Sequence, residues 1–178
     1  MNNFEEFREF PGVWSRSVTM HEDSRGYFYE EFRKDDLPES VPEFMQDSIS
    51  FSRRKVLRGM HLQLEQWQLV TLLEGEIVDV LLNANPDSSC FQQSMSIKLS
   101  WNKLNQLLIS PGIAHGFAVL SDKAHIHYKS SVYYGSTNQY GVHWNSKEIS
   151  NFWPKEPWTV STRDSGFPTF QEFILQYK

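Results

Sequence analysis

Apolar residues recur along the middle of the chain in short runs and alternating stretches that are typical of β-strands. Residues 69–73 form a short apolar run, and residues 94–99 alternate strictly, with Met95, Ile97 and Leu99 on one face. The pattern continues, with turn residues in between, through residues 76–82, 107–109, 116–120 and 125–134. Short strands separated by turns roughly every 8–12 residues predict a β-sandwich or a barrel.

Helix signals are sparse, and the strongest lies near the C-terminus. In residues 169–177, Thr169 is an N-cap candidate and Glu172 stands three positions later, which is the spacing of a capping box. The length of 178 residues suits one domain. We therefore predict an all-β fold with short peripheral helices, formed by a single domain over residues 1–178.

The composition narrows the class of protein. Hydrophobic residues make up 39% of the chain and aromatic residues 15%, which excludes disorder for most of its length. There is no run of about 18 apolar residues, so we predict no membrane-spanning helix. The N-terminus shows no basic segment followed by an apolar one. We therefore expect a cytoplasmic protein with no membrane partner.

Charge and cysteine content limit the partners further. The chain has 17 Lys and Arg against 22 Asp and Glu, for a formal net charge of −5. That balance is a poor match to a nucleic-acid backbone, although it permits a local basic pocket for a small anionic ligand. Cys90 is the only cysteine, which excludes an internal disulfide and a multi-cysteine zinc site.

Two of the six histidines lie in dense local signatures. His61 interrupts the apolar stretch VLRGMHLQ, and His115 enters a predicted strand directly after a Pro-Gly turn in SPGIAHGF. His125 and His127 share one face of a predicted strand, and a pair at that spacing can bind a metal ion. No third ligand is evident nearby, so ordinary polar residues on a sheet face explain this second pair better.

Matching segments run through nearly the whole chain in the order of one known family. They are DSRGYFYE at 23–30, QD at 46–47, VLRGMH at 56–61, GEIVD at 75–79, PGIAHGF at 111–117, Tyr128 with Tyr134, WP at 153–154, and STRD at 161–164 followed by Pro168. Together they resemble the dTDP-4-dehydrorhamnose 3,5-epimerase family. The resemblance implies a cupin double-stranded β-helix, that is, a jelly-roll barrel. It also implies an isomerase that needs no cofactor and inverts C3, C5 or both in a nucleotide-diphospho-4-keto-6-deoxyhexose.

The resemblance implies roles for individual residues. His61 matches the catalytic base, Asp164 the carboxylate paired with it, and Tyr128 the acid on the opposite face of the sugar. An imidazole with an ordinary pKa of ~6.5 suits a general base near working pH. The residues implied at the substrate are Arg25, Phe28, Glu30, Gln46, Ser48, Arg58, Gln68, His115, Tyr134 and Arg163. Tyr134 is preferred to the adjacent Tyr133 because of its six-residue step from Tyr128.

Two positions depart from the family pattern. Gln68 stands where the family has a lysine that helps to hold the ketone oxygen, and Ser48 stands where the family has an asparagine. An amide donates a hydrogen bond without carrying charge, and charge-assisted bonds are roughly twice as strong as neutral ones. We expect a slower reaction, a ketone held elsewhere, or a different sugar. In the last case a lysine at position 68 would be an unpaired buried cation.

The resemblance further implies a homodimer with exchanged N-terminal strands, a dTDP- or CDP-linked substrate, and a role in deoxysugar synthesis for products such as O-antigen and lipopolysaccharide. Three alternatives stay open. They are a single-site 3- or 5-epimerase on a non-dTDP sugar nucleotide, an inactive sugar-nucleotide-binding cupin, and a metal-dependent cupin that uses His61, His115 and the His125/His127 face. Gln63 stands where metal-binding cupins have a second histidine, so we expect no metal ion in the site.

Overall fold

A computed structural model describes residues 4–135 and 139–176, which form mainly antiparallel β-strands. The strands are β1 (Glu5–Glu6), β2 (Val13–Arg16), β3 (His21–Asp23), β4 (Gly26–Phe28), β5 (Gln46–Arg53), β6 (Leu57–Leu62), β7 (Gln68–Glu74), β8 (Glu76–Asn83), β9 (Ser94–Ser100), β10 (Gln106–Ile109), β11 (Ile113–Val119), β12 (Lys123–Ser130) and β13 (Tyr140–Gly141). The helices are α1 (Thr162–Ser165) and α2 (Phe170–Gln176), with 3-10 turns at Lys34–Asp36 and Ser150–Phe152.

Two sheets face each other across the interior. The six-stranded sheet has the order β1-β2-β10-β7-β12-β5, and the five-stranded sheet has the order β13-β6-β11-β8-β9. A separate hairpin is formed by β3 and β4. The crossovers between the sheets give a jelly roll, and the predicted all-β class with short peripheral helices is confirmed.

Apolar side chains fill three layers, which explains why the central strands are apolar on both faces. The first layer lies between the sheets and includes Val70, Leu81 and Ile126. The C-terminal segment covers the outside of the five-stranded sheet, where Trp153 and Phe170 pack. Phe4, Trp14 and Phe44 are among the residues that cover the outside of the six-stranded sheet. A strand that is buried on both sides loses the simple alternation of a half-exposed strand.

The period of two along a strand aims particular polar residues into the interior. On β8, Val78 and Val80 pack in the outer layer, whereas Ile77 and Leu81 pack between the sheets. Asp79 lies midway between these two inner residues, so its carboxylate is held inside the barrel, where it is fully buried. The same alternation on β11 turns His115 inward.

Most of the predicted elements are confirmed. At α2, Thr169 N–H donates to Glu172 Oε2 at 2.8 Å and Glu172 N–H donates to Thr169 Oγ1 at 3.3 Å, which is a complete capping box. The strand predicted over 125–134 ends earlier, at Ser130. Just beyond it the N–H of Ser131 still donates to the Trp67 carbonyl at 3.1 Å, in register with the β12–β7 pairing, and the chain then bends at residues 131–132.

Within the described ranges α2 is the longest helix, with seven residues. No helix there combines the length and the apolar character that crossing a membrane requires.

Candidate active site

One cavity of about 250 Å³ opens between the two sheets. Nine of the residues predicted from the sequence line it, namely Gln46, Ser48, Arg58, His61, Gln68, His115, Tyr128, Tyr134 and Arg163. The five-stranded sheet supplies His61 and His115, which face each other in register on β6 and β11. The six-stranded sheet supplies Gln68 and Tyr128 on β7 and β12. The two sheets therefore form opposing walls.

His61 forms a pair with Asp164, which lies behind it. The two side chains meet at 3.1 Å between His61 Nε2 and Asp164 Oδ1. Asp164 lies in the single turn of α1, where its N–H donates to Ser161 Oγ at 3.1 Å. Its second oxygen, Oδ2, accepts the Gly59 N–H at 3.0 Å. The His61 side chain is 38% exposed and that of Asp164 is 6% exposed, so the ring can reach a ligand while its partner cannot.

The environment keeps Asp164 ionised. Burial by itself raises the pKa of Asp164, but the hydrogen bonds from His61 and the Gly59 N–H outweigh it and hold this pKa below its ordinary value. An ionised carboxylate only accepts hydrogen bonds, so His61 Nε2 carries the proton. His61 Nδ1 is then the basic nitrogen. Asp164 also stabilises the imidazolium that forms when this base takes up a proton.

A close contact between two glycines sets the position of the His61 pair. Gly59 has a φ of +122°, and a Cβ added there would lie 2.5 Å from Gly116 Cα and 3.0 Å from the His115 carbonyl oxygen. Opposite it, the β6–β11 register shifts between His115 and Phe117, which is the mark of a β-bulge. The close approach presents the Gly59 N–H to Asp164 and leaves both histidines aimed into the cavity.

Tyr128 lies on the wall that faces His61. Its hydroxyl is 3.0 Å from Ser50 Oγ, on the neighbouring strand β5. Burial raises the pKa of Tyr128 well above its ordinary value. The phenol is therefore protonated at neutral pH and can donate a proton toward the cavity.

A second histidine–carboxylate pair lies deeper in the barrel. His115 Nε2 is 2.8 Å from Gln68 Oε1, and His115 Nδ1 is 3.4 Å from Asp79 Oδ2. Complete burial raises the pKa of Asp79, against the influence of His115. In the described part of the chain, Asp79 Oδ1 has no hydrogen-bond partner.

Two arginines give the cavity a positive rim. Arg58 is held by Nε to Ser52 Oγ at 2.8 Å and by Nη2 to the Phe51 carbonyl at 3.1 Å. Arg163 reaches the Tyr134 hydroxyl at 3.4 Å. Among residues 4–135 and 139–176, neither guanidinium forms an ion pair with a carboxylate. Both charges are thus available to an anionic ligand.

Comparison with known proteins identifies the family. Residues 8–172 match the sequence profile of the dTDP-4-dehydrorhamnose 3,5-epimerase family. The enzyme of that name from Shigella flexneri is 37% identical over 162 residues, which cover 88% of this chain and 90% of that protein. The chain belongs to the dTDP-4-dehydrorhamnose 3,5-epimerase family. It is therefore an epimerase, within the isomerase class of enzymes.

Solved structures of epimerases share the fold. The structure of dTDP-6-deoxy-D-glucose-3,5-epimerase from Legionella pneumophila, in complex with dTDP-4-keto-L-rhamnose, has a TM-score of 0.87 and 31% identity, covering 95% of this chain and 93% of that one. NovW from Streptomyces spheroides, a 4-keto-6-deoxy sugar epimerase, has a TM-score of 0.90 and 27% identity, covering 98% of this chain and 90% of that one. The predicted cupin jelly roll is confirmed.

Three residues predicted at the substrate of this epimerase lie outside the cavity. Arg25 and Phe28 belong to the β3–β4 hairpin, in which every strand residue is exposed. Arg25 pairs with Asp23 at 2.5 Å, and Phe28 is 67% exposed. Glu30 borders a different depression, beside Arg16 and other residues. Their roles at a substrate stay predictions.

Several residues at the site were not singled out from the sequence. The alternation Ser48, Ser50 and Ser52 on β5 was a signal for a polar face, and Ser50 is the one that holds the Tyr128 hydroxyl. Asp79 carried a stronger signal, because a carboxylate in the middle of a buried apolar strand needs a partner. Further polar lining comes from Gln66, Ser110, Ser130 and Gln139, and from Gln63, which the sequence singled out only as the replacement of a metal-ligand histidine.

His125 and His127 pair with carboxylates outside the cavity, on the six-stranded sheet and the segment next to it. His125 Nδ1 is 2.8 Å from Glu74 Oε2, while His127 bonds to Glu31 and has Nε2 3.7 Å from Asp47 Oδ2. Neither histidine lines the cavity. Among the described residues, no three His, Cys, Asp or Glu are grouped to hold a metal ion.

Proposed function

We propose that this epimerase inverts C3, C5 or both in a nucleotide-diphospho-4-keto-6-deoxyhexose, linked to dTDP or CDP, within one catalytic domain. One observation carries the proposal. A basic His61 backed by an ionised Asp164 and a protonated Tyr128 lie on opposing walls of one cavity. Inversion next to a ketone needs a base on one face of the sugar and an acid on the other.

The chemistry follows from that arrangement. His61 Nδ1 removes the proton from a carbon next to the ketone, and the electron pair of the broken C–H bond delocalises onto the ketone oxygen as an enolate. Tyr128 then gives its hydroxyl proton to the same carbon from the opposite face, which forms the inverted C–H bond. Proton exchange with solvent returns Tyr128 to the phenol and His61 to the neutral imidazole.

The remaining lining residues suit the rest of the substrate. Arg58 and Arg163 would grip the diphosphate, because a planar guanidinium binds phosphate oxygens bidentately. Gln68 would donate to the ketone oxygen. Gln68 and Ser48 differ from the family pattern at the sugar, so a sugar or nucleotide other than that of the main family is compatible with the proposal.

Reaction in D₂O tests the mechanism with a panel of nucleotide-linked 4-keto-6-deoxyhexoses. Wild-type enzyme is expected to introduce deuterium at the inverted carbon. Tyr128→Phe removes the acid but keeps the base, so deuterium should still enter while the inverted product falls by ~10²-fold or more. His61→Asn should abolish both signals. Unchanged inversion in Tyr128→Phe would refute the two-wall mechanism.

We further propose a homodimer in which the β3–β4 hairpin of one chain completes the cavity of the other. Arg25 and Phe28 lie outside their own cavity, so a substrate role for them requires a second copy. Such an enzyme would act in the cytoplasm, in deoxysugar synthesis for surface polysaccharide.

Subunit mixing tests the dimer. His61→Asn and the double variant Arg25→Ala/Phe28→Ala should each be inactive as pure proteins. After exchange of subunits, a mixed dimer contains one site with an intact His61 and an intact hairpin, so activity should return. If mixing restores nothing while sedimentation shows that subunits do exchange, the hairpin does not serve the partner's cavity.

A further inference from the structure

Gln68, His115 and Asp79 form a hydrogen-bonded line that connects the two walls of the barrel. Gln68 belongs to β7 in the six-stranded sheet, whereas His115 on β11 and Asp79 on β8 belong to the five-stranded sheet. The contacts are 2.8 Å from His115 Nε2 to Gln68 Oε1 and 3.4 Å from His115 Nδ1 to Asp79 Oδ2. Only Gln68, at one end, and His115 line the cavity.

The chemistry of the end groups determines where the protons are. The Gln68 carbonyl oxygen only accepts a hydrogen bond, so His115 Nε2 must carry a proton. His115 Nδ1 then either accepts a hydrogen bond from a neutral Asp79 or is itself protonated and donates to an ionised Asp79. Both arrangements hold the same number of protons, and in both the pair has no net charge.

Burial favours this protonation over its alternative. A bare His115 Nε2 with a proton only on Nδ1 would leave Asp79 ionised and the pair negatively charged. Asp79 is fully buried, and its Oδ1 has no partner in the described part of the chain. An uncompensated charge in such a place is costly, so the pair retains its second proton. The raised pKa of Asp79 agrees with this.

The consequence concerns the orientation of the Gln68 amide. With Oε1 bound to His115, the NH₂ group is the end that faces away from it, and among residues 4–135 and 139–176 this nitrogen has no acceptor. We infer that the net-neutral Asp79–His115 pair is a positioning device that turns the Gln68 NH₂ group toward the ketone oxygen of the substrate. This inference rests on the proposed function and explains how an amide can take the place of the family's lysine.

The same line can respond to the charge of the enolate. As negative charge develops on the ketone oxygen, the proton of Asp79 Oδ2 can move to His115 Nδ1. One O–H bond breaks, one N–H bond forms, and no other reactant is needed. The pair becomes an ion pair whose positive end is next to Gln68, which strengthens the donor at the moment when the enolate needs it.

The first test reads the tautomer directly and does not depend on activity. Long-range ¹H–¹⁵N spectra of the histidine-labelled enzyme separate a protonated from a bare ring nitrogen, and the His115→Asn variant assigns the His115 signals. We expect a protonated Nε2 at neutral pH. A bare Nε2 with a proton only on Nδ1 would overturn the inference even if the enzyme is an active epimerase.

The second test compares two substitutions of the same residue. In Asp79→Asn the side-chain amide can donate to His115 Nδ1, which keeps the proton on Nε2 but cannot transfer a proton to the ring, so kcat should fall less than in a variant with no donor at this position. Asp79→Leu has a similar volume but no donor, so kcat should fall while KM changes little. Gln68→Met, which removes the donor itself, should lower kcat by about 10²–10³-fold.

The pattern of these variants separates positioning from simple packing. A purely structural Asp79 would make both substitutions lower the melting temperature and kcat together. Equal kcat losses in Asp79→Asn and Asp79→Leu would therefore refute the inference. If Asp79→Leu does not fold, the Asp79→Asn enzyme still decides, because its His115 Nε2 must remain protonated in the ¹⁵N spectra. If every variant and the wild type lack epimerase activity, the tautomer measurement stands while the proposed function fails.

Discussion

Two histidine–carboxylate pairs lie side by side in this barrel, and they are built for opposite electrostatic states. His61 and His115 face each other in register, yet Asp164 receives a backbone N–H in addition to His61 while Asp79 Oδ1 has no partner in the described chain. The pKa of Asp164 is correspondingly lowered and that of Asp79 raised. The same two residue types thus form a basic imidazole beside an ionised carboxylate at the cavity surface and a net-neutral pair beneath it.

The difference teaches that a histidine and an aspartate in contact do not by themselves define a catalytic base. Solvent access and the second oxygen of the carboxylate decide the outcome. His61 is 38% exposed and can release its proton to solvent after each turnover, whereas the His115 side chain is 8% exposed. Only the His61–Asp164 pair suits proton abstraction. The His115–Asp79 pair is suited to orienting the Gln68 amide.

The largest expected effect comes from replacing the histidine of each pair and comparing the exchange rates and melting temperatures of the two variants. His61→Asn should lower the exchange rate by ~10²–10⁴-fold, the usual contribution of a general base, with little change in melting temperature. His115→Asn should lower the melting temperature as well, because it disturbs a buried contact to Asp79. The matched control is His125→Asn, since His125 is also 38% exposed but pairs with Glu74 outside the cavity. If His61→Asn and His115→Asn change the exchange rate and the melting temperature equally, the two pairs do not have different roles.

The next effect tests the backbone support that only the His61 pair has. Gly59→Ala would place a Cβ against the Gly116 backbone at a φ of +122°. Backbone strain of this kind costs about 1–3 kcal/mol, and the displaced N–H would no longer hold Asp164. We expect a lower melting temperature together with a lower kcat.

Gly135→Ala is the control for that prediction. Gly135 also has a positive φ, of +80°, but none of the residues that the structure describes lies within 4 Å of an added Cβ. It should therefore show the conformational strain without the clash or the loss of activity. If Gly59→Ala retains full activity, the close approach of β6 and β11 is not what positions Asp164.

A smaller effect follows from the opposite pKa shifts. Asp164 stabilises the fold above its unfolded pKa of ~3.9, and this contribution disappears as pH falls through its lower folded pKa. Asp164→Asn should therefore lower the melting temperature at neutral pH, with the difference closing in acid. Asp79 behaves in the reverse way, because its folded pKa is raised. The stability of the wild-type protein falls as pH rises from ~3.9 toward that folded pKa. The melting temperature of Asp79→Asn should therefore rise relative to that of wild type over this range.

Thermal unfolding over a series of acid to neutral buffers checks both slopes. Parallel curves for the two variants would mean that the carboxylates share one electrostatic state, contrary to the comparison.

The smallest expected effect comes from Gln68→Lys, which should ionise Asp79 beside His115, as Asp164 is ionised beside His61. Sequence alone predicts that a lysine at position 68, in a pocket rebuilt for another sugar, would be an unpaired buried cation. The structure supplies a counter-charge, because Asp79 lies one contact behind His115. In Gln68→Lys we expect Asp79 to ionise and His115 Nε2 to accept from the ammonium group. The melting temperature should stay near that of wild type, and kcat on the dTDP-linked sugar should be retained or raised. A large loss of stability would show that Asp79 cannot ionise.

The residue pattern alone determined the class of fold and most of the central strands. It predicted residues 69–73 and 94–99 as strands and Thr169 as a helix cap, and these are confirmed because alternation and capping are local properties of the backbone. The motifs also named nine of the residues that line the cavity. Short motifs keep their chemistry wherever the chain folds, so they can be recognised without coordinates.

Tertiary structure alone decided which electrostatic state each histidine pair has. His61 and Asp164 are separated by 103 positions and His115 and Asp79 by 36, so neither contact can be read from local spacing. Burial and the number of donors on each carboxylate set the protonation, and both depend on what the rest of the chain places around them. For the same reason the sequence could assign Arg25, Phe28 and Glu30 to a substrate but could not show that one chain holds them away from its own cavity.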